Sequence, residues 1–260
     1  MKVPFLIFLM LGIAGGAMNS GRGALVFPTG PGDGPQIISR NIDPILRHDP
    51  KFLSGLQTTD LTVAPAHRVY SVGLTNLAAG QLLSAATPSS WRYLLVHGTN
   101  AVGEANLSQD EAGRLKFNGF SSTRFADETR VALQIAENSG RLQNTDYEVR
   151  YLLLPSIHFV ALWLHATTDD LIVPLPPTFA RIRDYRLCSE TEALQFLKPE
   201  AQRVLRQEQA EDKRPLHDAD LAMILHSFDR SSDMGSGRTD GDRTDAGHHA
   251  GVSLGFGVHF

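Results

Sequence analysis

Nucleophilic catalysis needs a hydroxyl or thiol, a base within hydrogen-bond reach and an acid that orients the base. Ser121, His97, Asp169 or Asp170, and His217 or His226 are the residues this chain offers for such a set. Cys188 is the one cysteine, and it precedes Ser189 at an expected helix start, where the positive helix end lowers a thiol pKa. Spacing puts no base beside it, so a structural thiol is expected. Ten histidines raise metal chemistry next. His158 and His165 are seven apart on an expected strand, so they face opposite ways and share no ion. His248 and His249 lie in a polar tail, and the sequence holds no HExxH, no EF-hand loop and no His pair at i, i+4. There is no GxxxxGK[ST] phosphate loop, and the glycines of 30–34 follow no expected strand. No metal and no cofactor is expected.

Tyr93-Leu94-Leu95-Val96-His97-Gly98-Thr99 reads as a hydrophobic strand ending in His-Gly, and it resembles the oxyanion-hole strand of α/β-hydrolases. Gly119-Phe120-Ser121-Ser122-Thr123, between a strand and a helix, loosely resembles their nucleophile elbow. The resemblance implies Ser121 as nucleophile, the His97-Gly98 turn as oxyanion element, Asp170 as acid and His226 as base. The pattern departs from the family at Thr123, where the last elbow glycine belongs. Ser121 also follows His97 by only 24 positions, too few for the intervening elements of a hydrolase sheet. The plain expectation is a strand–turn–strand hairpin, with the hydrolase as the alternative to a non-enzyme.

Composition narrows the class. The 260 residues are 42% hydrophobic and 20% charged, enough for one core-bearing domain with extensions. Net charge is -4 with no basic block, so the clustered cations of a duplex-binding surface are missing and no nucleic-acid partner is expected. One cysteine excludes an intrachain disulfide, a CxxC pair and a Cys-based zinc site.

The elements that must position these residues follow from periodicity. Leu74, Leu77, Ala78, Leu82 and Ala85 share a helical face that Pro88 would stop. Trp91–Val96, Ala101–Leu107 and Arg114–Phe120 read as three strands joined by tight turns. Phe125, Ala132, Ile135 and Ala136 mark a second helix, closed at Asn138-Ser139-Gly140. Tyr147, Val149, Tyr151 and Leu153 alternate with Glu148 and Arg150. Ile157–Leu164 is apolar on both faces, and Leu171–Val173 follows a turn. Tight turns force antiparallel neighbours, so the expected fold is α+β, an antiparallel β-meander with two packing helices. The core is placed at 63–180, behind an extended Pro/Gly-rich lead-in over 18–62 whose Pro44 and Pro50 oppose a long helix. A helical annex over 181–228 is expected in short pieces: a capping box at Ser189 and Glu192, a second helix begun by Pro199, and a third capped by Asp218.

The two ends carry addressing signals. Lys2, the apolar run Val3–Leu11 and the small pair Gly15/Ala17 form a signal-peptide pattern over 1–17, and the run is too short to span a bilayer. A periplasmic or secreted, soluble product is expected, with no transmembrane span. Residues 229–250 are polar and read as a disordered linker. In 251–260, Val252, Leu254, Phe256, Val258 and Phe260 alternate with Ser253, Gly255, Gly257 and His259. This resembles the terminal β-signal strand of outer-membrane barrel proteins, without the series of alternating strands a barrel requires. Such a strand suits docking on a sheet edge, its own or that of another envelope protein. The expected function is therefore that of a non-catalytic binding module of the cell envelope.

Overall fold

The computed structural model describes residues 23–49, 52–53, 55–122, 124–142, 145–178 and 182–212. In chain order these form β1 (Leu25–Val26), α1 (Gly34–His48), β2 (Thr62–Ser71), α2 (Leu74–Ala79), β3 (Thr87–His97), β4 (Asn100–Gln109) and β5 (Leu115–Ser121). Then come α3 (Phe125–Asn138), β6 (Tyr147–Leu154), β7 (Phe159–His165), β8 (Leu171–Pro174), β9 (Cys188–Ser189) and α4 (Glu190–Asp212). The expected signal peptide, the third annex helix, His217, His226, the linker and the terminal strand lie outside the described residues. The chain divides after Gln202; beyond it the described part is the end of α4, where Arg203 donates to Gln207 at 2.7 Å.

The fold is α+β. One sheet runs in the order β5-β4-β3-β2-β6-β7-β8-β9, with β1 also on β6. It consists of two antiparallel meanders, β2 to β5 and β6 to β9. A parallel pairing of β2 with β6, from Arg68↔Arg150 to Ser71↔Leu153, joins them. The sheet is mostly antiparallel, as expected, and this seam and the β1–β6 pairing are its parallel exceptions. A tight turn dictates the direction only of the strands it connects, and the chain returns from β5 to β6 through α3.

Two faces follow from period 2. On one, α1 sets Ile38, Ile42 and Leu46 against Ala66, Tyr93, Leu95, Ala105 and Leu107. On the other, Ala132 and Ala136 of α3 pack over Val149, Tyr151, Val160, Leu162 and Val173. The lead-in is thus corrected: it contains a core helix. Pro35 sits in the first turn of α1, where its missing N–H is no loss, and the i, i+4, i+8 apolar stripe outweighs Pro44.

Two further corrections concern the short helices. The helical pattern after Leu74 ends at Ala79, not at Pro88, because Gly80 adopts φ 90 and its N–H bonds back to the Leu77 carbonyl. A separate 3₁₀ turn, Leu83–Ala85, follows. Conversely, the two expected annex helices are one helix, α4, which continues through Pro199 with Ala193, Leu197 and Ala201 buried at i, i+4 and i+8. Its capping box is formed as expected: the Ser189 N–H donates to Glu192 at 2.8 Å and the Glu192 N–H donates to Ser189 Oγ at 3.3 Å. Helix α4 is tied to the α2 region by the Leu83 N–H, which donates to Glu190 at 2.8 Å, and by Gln202, which donates to the Ala78 carbonyl at 3.1 Å.

Candidate functional site

The β2–β6 seam creates the arrangement that no single segment contains. Register sets Trp91 of β3 opposite Arg68 of β2, Arg68 opposite Arg150 of β6, and Arg150 opposite Trp163 of β7. Four adjacent strands thus carry a row Trp–Arg–Arg–Trp on one face, the face that α1 covers farther along β3 and β4. At about 4.8 Å between strands the row is about 14 Å long.

Each arginine lies on a ring. The Arg68 guanidinium carbon is 4.6 Å from the Trp91 ring centre, and that of Arg150 is 4.5 Å from Trp163 and 5.0 Å from Tyr70. Tyr70 meets Trp163 edge to face at 5.0 Å. Arg150 Nε also donates to Glu148 at 2.6 Å. No carboxylate pairs with Arg68 among the described residues. Trp91 keeps a buried Nε1 with no acceptor among the described residues. Arg68, Tyr70, Trp91, Arg150 and His165 are half-buried and keep contact with solvent, whereas Trp163 is buried.

At one end of the row an indole and an imidazole share one carboxylate. Trp163 Nε1 donates to Asp170 Oδ1 at 2.8 Å, and His165 Nδ1 lies 2.8 Å from the same oxygen. The carboxylate therefore fixes the orientation of the imidazole. His165 stands opposite Glu148, two register positions from Arg150 and on the same face.

The same alternation sends His67 and Arg92 to the other face. Arg92 is fully buried there, donating from Nε to Glu104 at 2.9 Å and from Nη1 to Thr129 of α3 at 3.0 Å, with Tyr151 4.0 Å below its plane. His67, its cross-strand neighbour, is buried with no well-formed bond at either ring nitrogen, and Phe27 stands edge-on at 5.5 Å. Burial first and the Arg92 charge second bring its pKa down to about 3, with the Arg92 backbone only partly opposing. This network braces the row from behind.

The residues singled out by sequence fare unequally. Asp170 belongs to the row, with partners the sequence did not suggest. His97 is exposed at the β3–β4 turn opposite Asn100, and Ser121 ends β5 opposite Glu104. Six strand spacings separate β5 from β8, about 29 Å, so the structure does not bring Ser121 and Asp170 together. His158 is not on β7 but in the turn before it, at φ 49. Cys188 is buried with its thiol on the Ile172 carbonyl at 3.5 Å, and burial, reinforced by Glu192, pushes its pKa up to about 11, the opposite of thiolate activation. Val252, Leu254, Phe256, Val258 and Phe260 lie outside the described residues. Sequence reading missed Arg68, Trp91, Arg150 and Trp163 as a group. The only local signal was the alternation of Glu148 and Arg150, which reads equally well as a solvated strand face.

No family model matches this chain, and neither a curated protein nor a solved structure does, so what the row can bind is argued from its own geometry.

Proposed function

We propose that this chain is an exported binding module that takes a small ligand on the Trp91–Arg68–Arg150–Trp163 row. One observation carries the reading: two half-buried arginines, each laid on an aromatic ring, stand side by side on one face of the sheet. Half-buried guanidinium and ring surfaces offer both directional donors and apolar area, the mixture that recognition sites use. Binding is favoured over nucleophilic catalysis because His165 and Asp170 are engaged with each other and with Trp163, and no hydroxyl or thiol bonds to His165 among the described residues.

The test uses the chain's own probes, since both of its tryptophans lie in the row. Fractionated small-molecule extract added to the full-length protein is expected to shift tryptophan emission, and the Arg68→Ala/Arg150→Ala double variant is expected to lose that shift while still melting cooperatively. A response unchanged in the double variant would sink the reading. The export half is tested by mass spectrometry of the native protein: a new N-terminus near Ala17 supports it, and an intact Met1 on a cytosolic product ends it. The terminal strand, Val252 to Phe260, is proposed to contact an envelope partner, and its hydrogen exchange is expected to slow when envelope extract is added.

A further inference from the structure

We propose that Arg68 and Arg150 together clamp the oxyanion of the ligand, a carboxylate or a phosphate, which makes the ligand class anionic; this rests on the row being the binding site. Parallel register places the two guanidinium-bearing residues directly opposite each other on one face. Like charges so placed repel. Glu148 answers Arg150, at 2.6 Å, and nothing of opposite charge pairs with Arg68 among the described residues. The rings beneath soften the repulsion without removing it, because a ring quadrupole is a weak substitute for a carboxylate.

Donor accounting points the same way. Arg68 presents a planar fork of five N–H groups, laid on the Trp91 ring and without a hydrogen-bond acceptor among the described residues. Trp91 adds a buried indole N–H that finds no acceptor. Buried donors are nearly always satisfied, which leaves the Trp91 N–H in want of an acceptor, and the half-buried Arg68 fork on the neighbouring strand can meet an acceptor with several lone pairs. An oxyanion bridging Arg68 and the Nη groups of Arg150 fits, and paired N–H···O bonds are how guanidinium groups hold carboxylate and phosphate. Asp170 at the Trp163 end of the row, with Glu148 beside Arg150, disfavours a second negative group on that side, so the charge is expected at one end of the ligand.

Titration of the full-length protein with inorganic phosphate, phenyl phosphate and benzoate, with benzyl alcohol as the neutral control, is read by tryptophan emission. Phenyl phosphate or benzoate is expected to give a saturable change that benzyl alcohol does not. If inorganic phosphate does as well, the free ion is the source of the oxyanion; if not, an organic ester or acid is. Arg68→Gln is expected to weaken binding by at least about tenfold, and Arg68→Lys, which keeps charge but loses the fork, by less. Arg114→Gln, which alters an exposed arginine paired with Asp110, is expected to change nothing. Absence of any saturable anion response, or an Arg68→Gln protein that binds as before, overturns the clamp. Equal binding of benzyl alcohol also overturns it, while leaving the row standing as a binding site.

Discussion

His67 makes the sharpest prediction at the scale of a residue. Its folded pKa is about 3 against 6.5 for an unburied histidine. Above pH 6.5 neither the folded nor the unfolded chain holds the proton. Between 6.5 and about 3 the unfolded chain binds it and the folded chain does not, so stability falls with acid by about 1.4 kcal/mol per pH unit. Urea unfolding at about pH 7 and about pH 4.5 is expected to show this loss, and His67→Phe to flatten it. An identical slope in the variant would mean that other groups cause the acid sensitivity. Arg92 makes the complementary case. Arg92→Ala leaves Glu104 nearly buried without its cation, at an expected cost of about 3–5 kcal/mol, whereas Arg92→Met, which refills the volume, is expected to cost less only if Glu104→Gln accompanies it. A double-mutant cycle by chemical denaturation measures the coupling.

At the scale of an element, the start of α1 is held by close approach. A Cβ on Gly34 would lie 2.2 Å from the Tyr93 hydroxyl, itself buried with no hydrogen-bond partner among the described residues. Gly34→Ala is therefore expected to destabilise by about 1–3 kcal/mol through overpacking. Tyr93→Phe removes the clashing oxygen and an unsatisfied group together, so alone it is expected to be neutral or stabilising, and with Gly34→Ala to recover part of the loss. Thermal melts of the two single variants and the double variant decide it; strict additivity would show that the clash is relieved elsewhere. The same scale explains what sequence reading saw and missed. Strands β3 to β6 and helix α3 are legible because one face of each is apolar at the right period, and burial enforces that period. Helix α1 was hidden by Pro44, since a rule about proline weighs local backbone cost and the deciding term is an apolar stripe meeting Tyr93 and Leu107. Helix α4 was split at Pro199 for the same reason.

At the scale of the whole molecule, the corrected lead-in changes which truncations are tolerated. Deleting residues 23–48 removes the cover from Tyr93, Leu95 and Leu107 and is expected to give a dye-binding product without a cooperative melt. A chain ending at residue 228 is expected to keep its cooperative melt. Calorimetry with a hydrophobic dye checks both, and a cooperative melt in the N-terminal deletion would place α1 outside the folding unit.

What the sequence by itself determined is local: element type wherever hydrophobic periodicity is clean, the Ser189–Glu192 capping box, and, from its single cysteine, that no intrachain disulfide can form. These are readable because each depends on residues within a turn or two of one another. The pairing of β2 with β6 was decided only by tertiary structure. No short connection enforces it, and it is the register of that one seam that sets Arg68 beside Arg150 and lines up Trp91 and Trp163 at either end. Residues 68, 91, 150 and 163 are far apart in the chain, and side chains on a sheet become neighbours through strand order and register, which hydrophobic burial settles for the molecule as a whole.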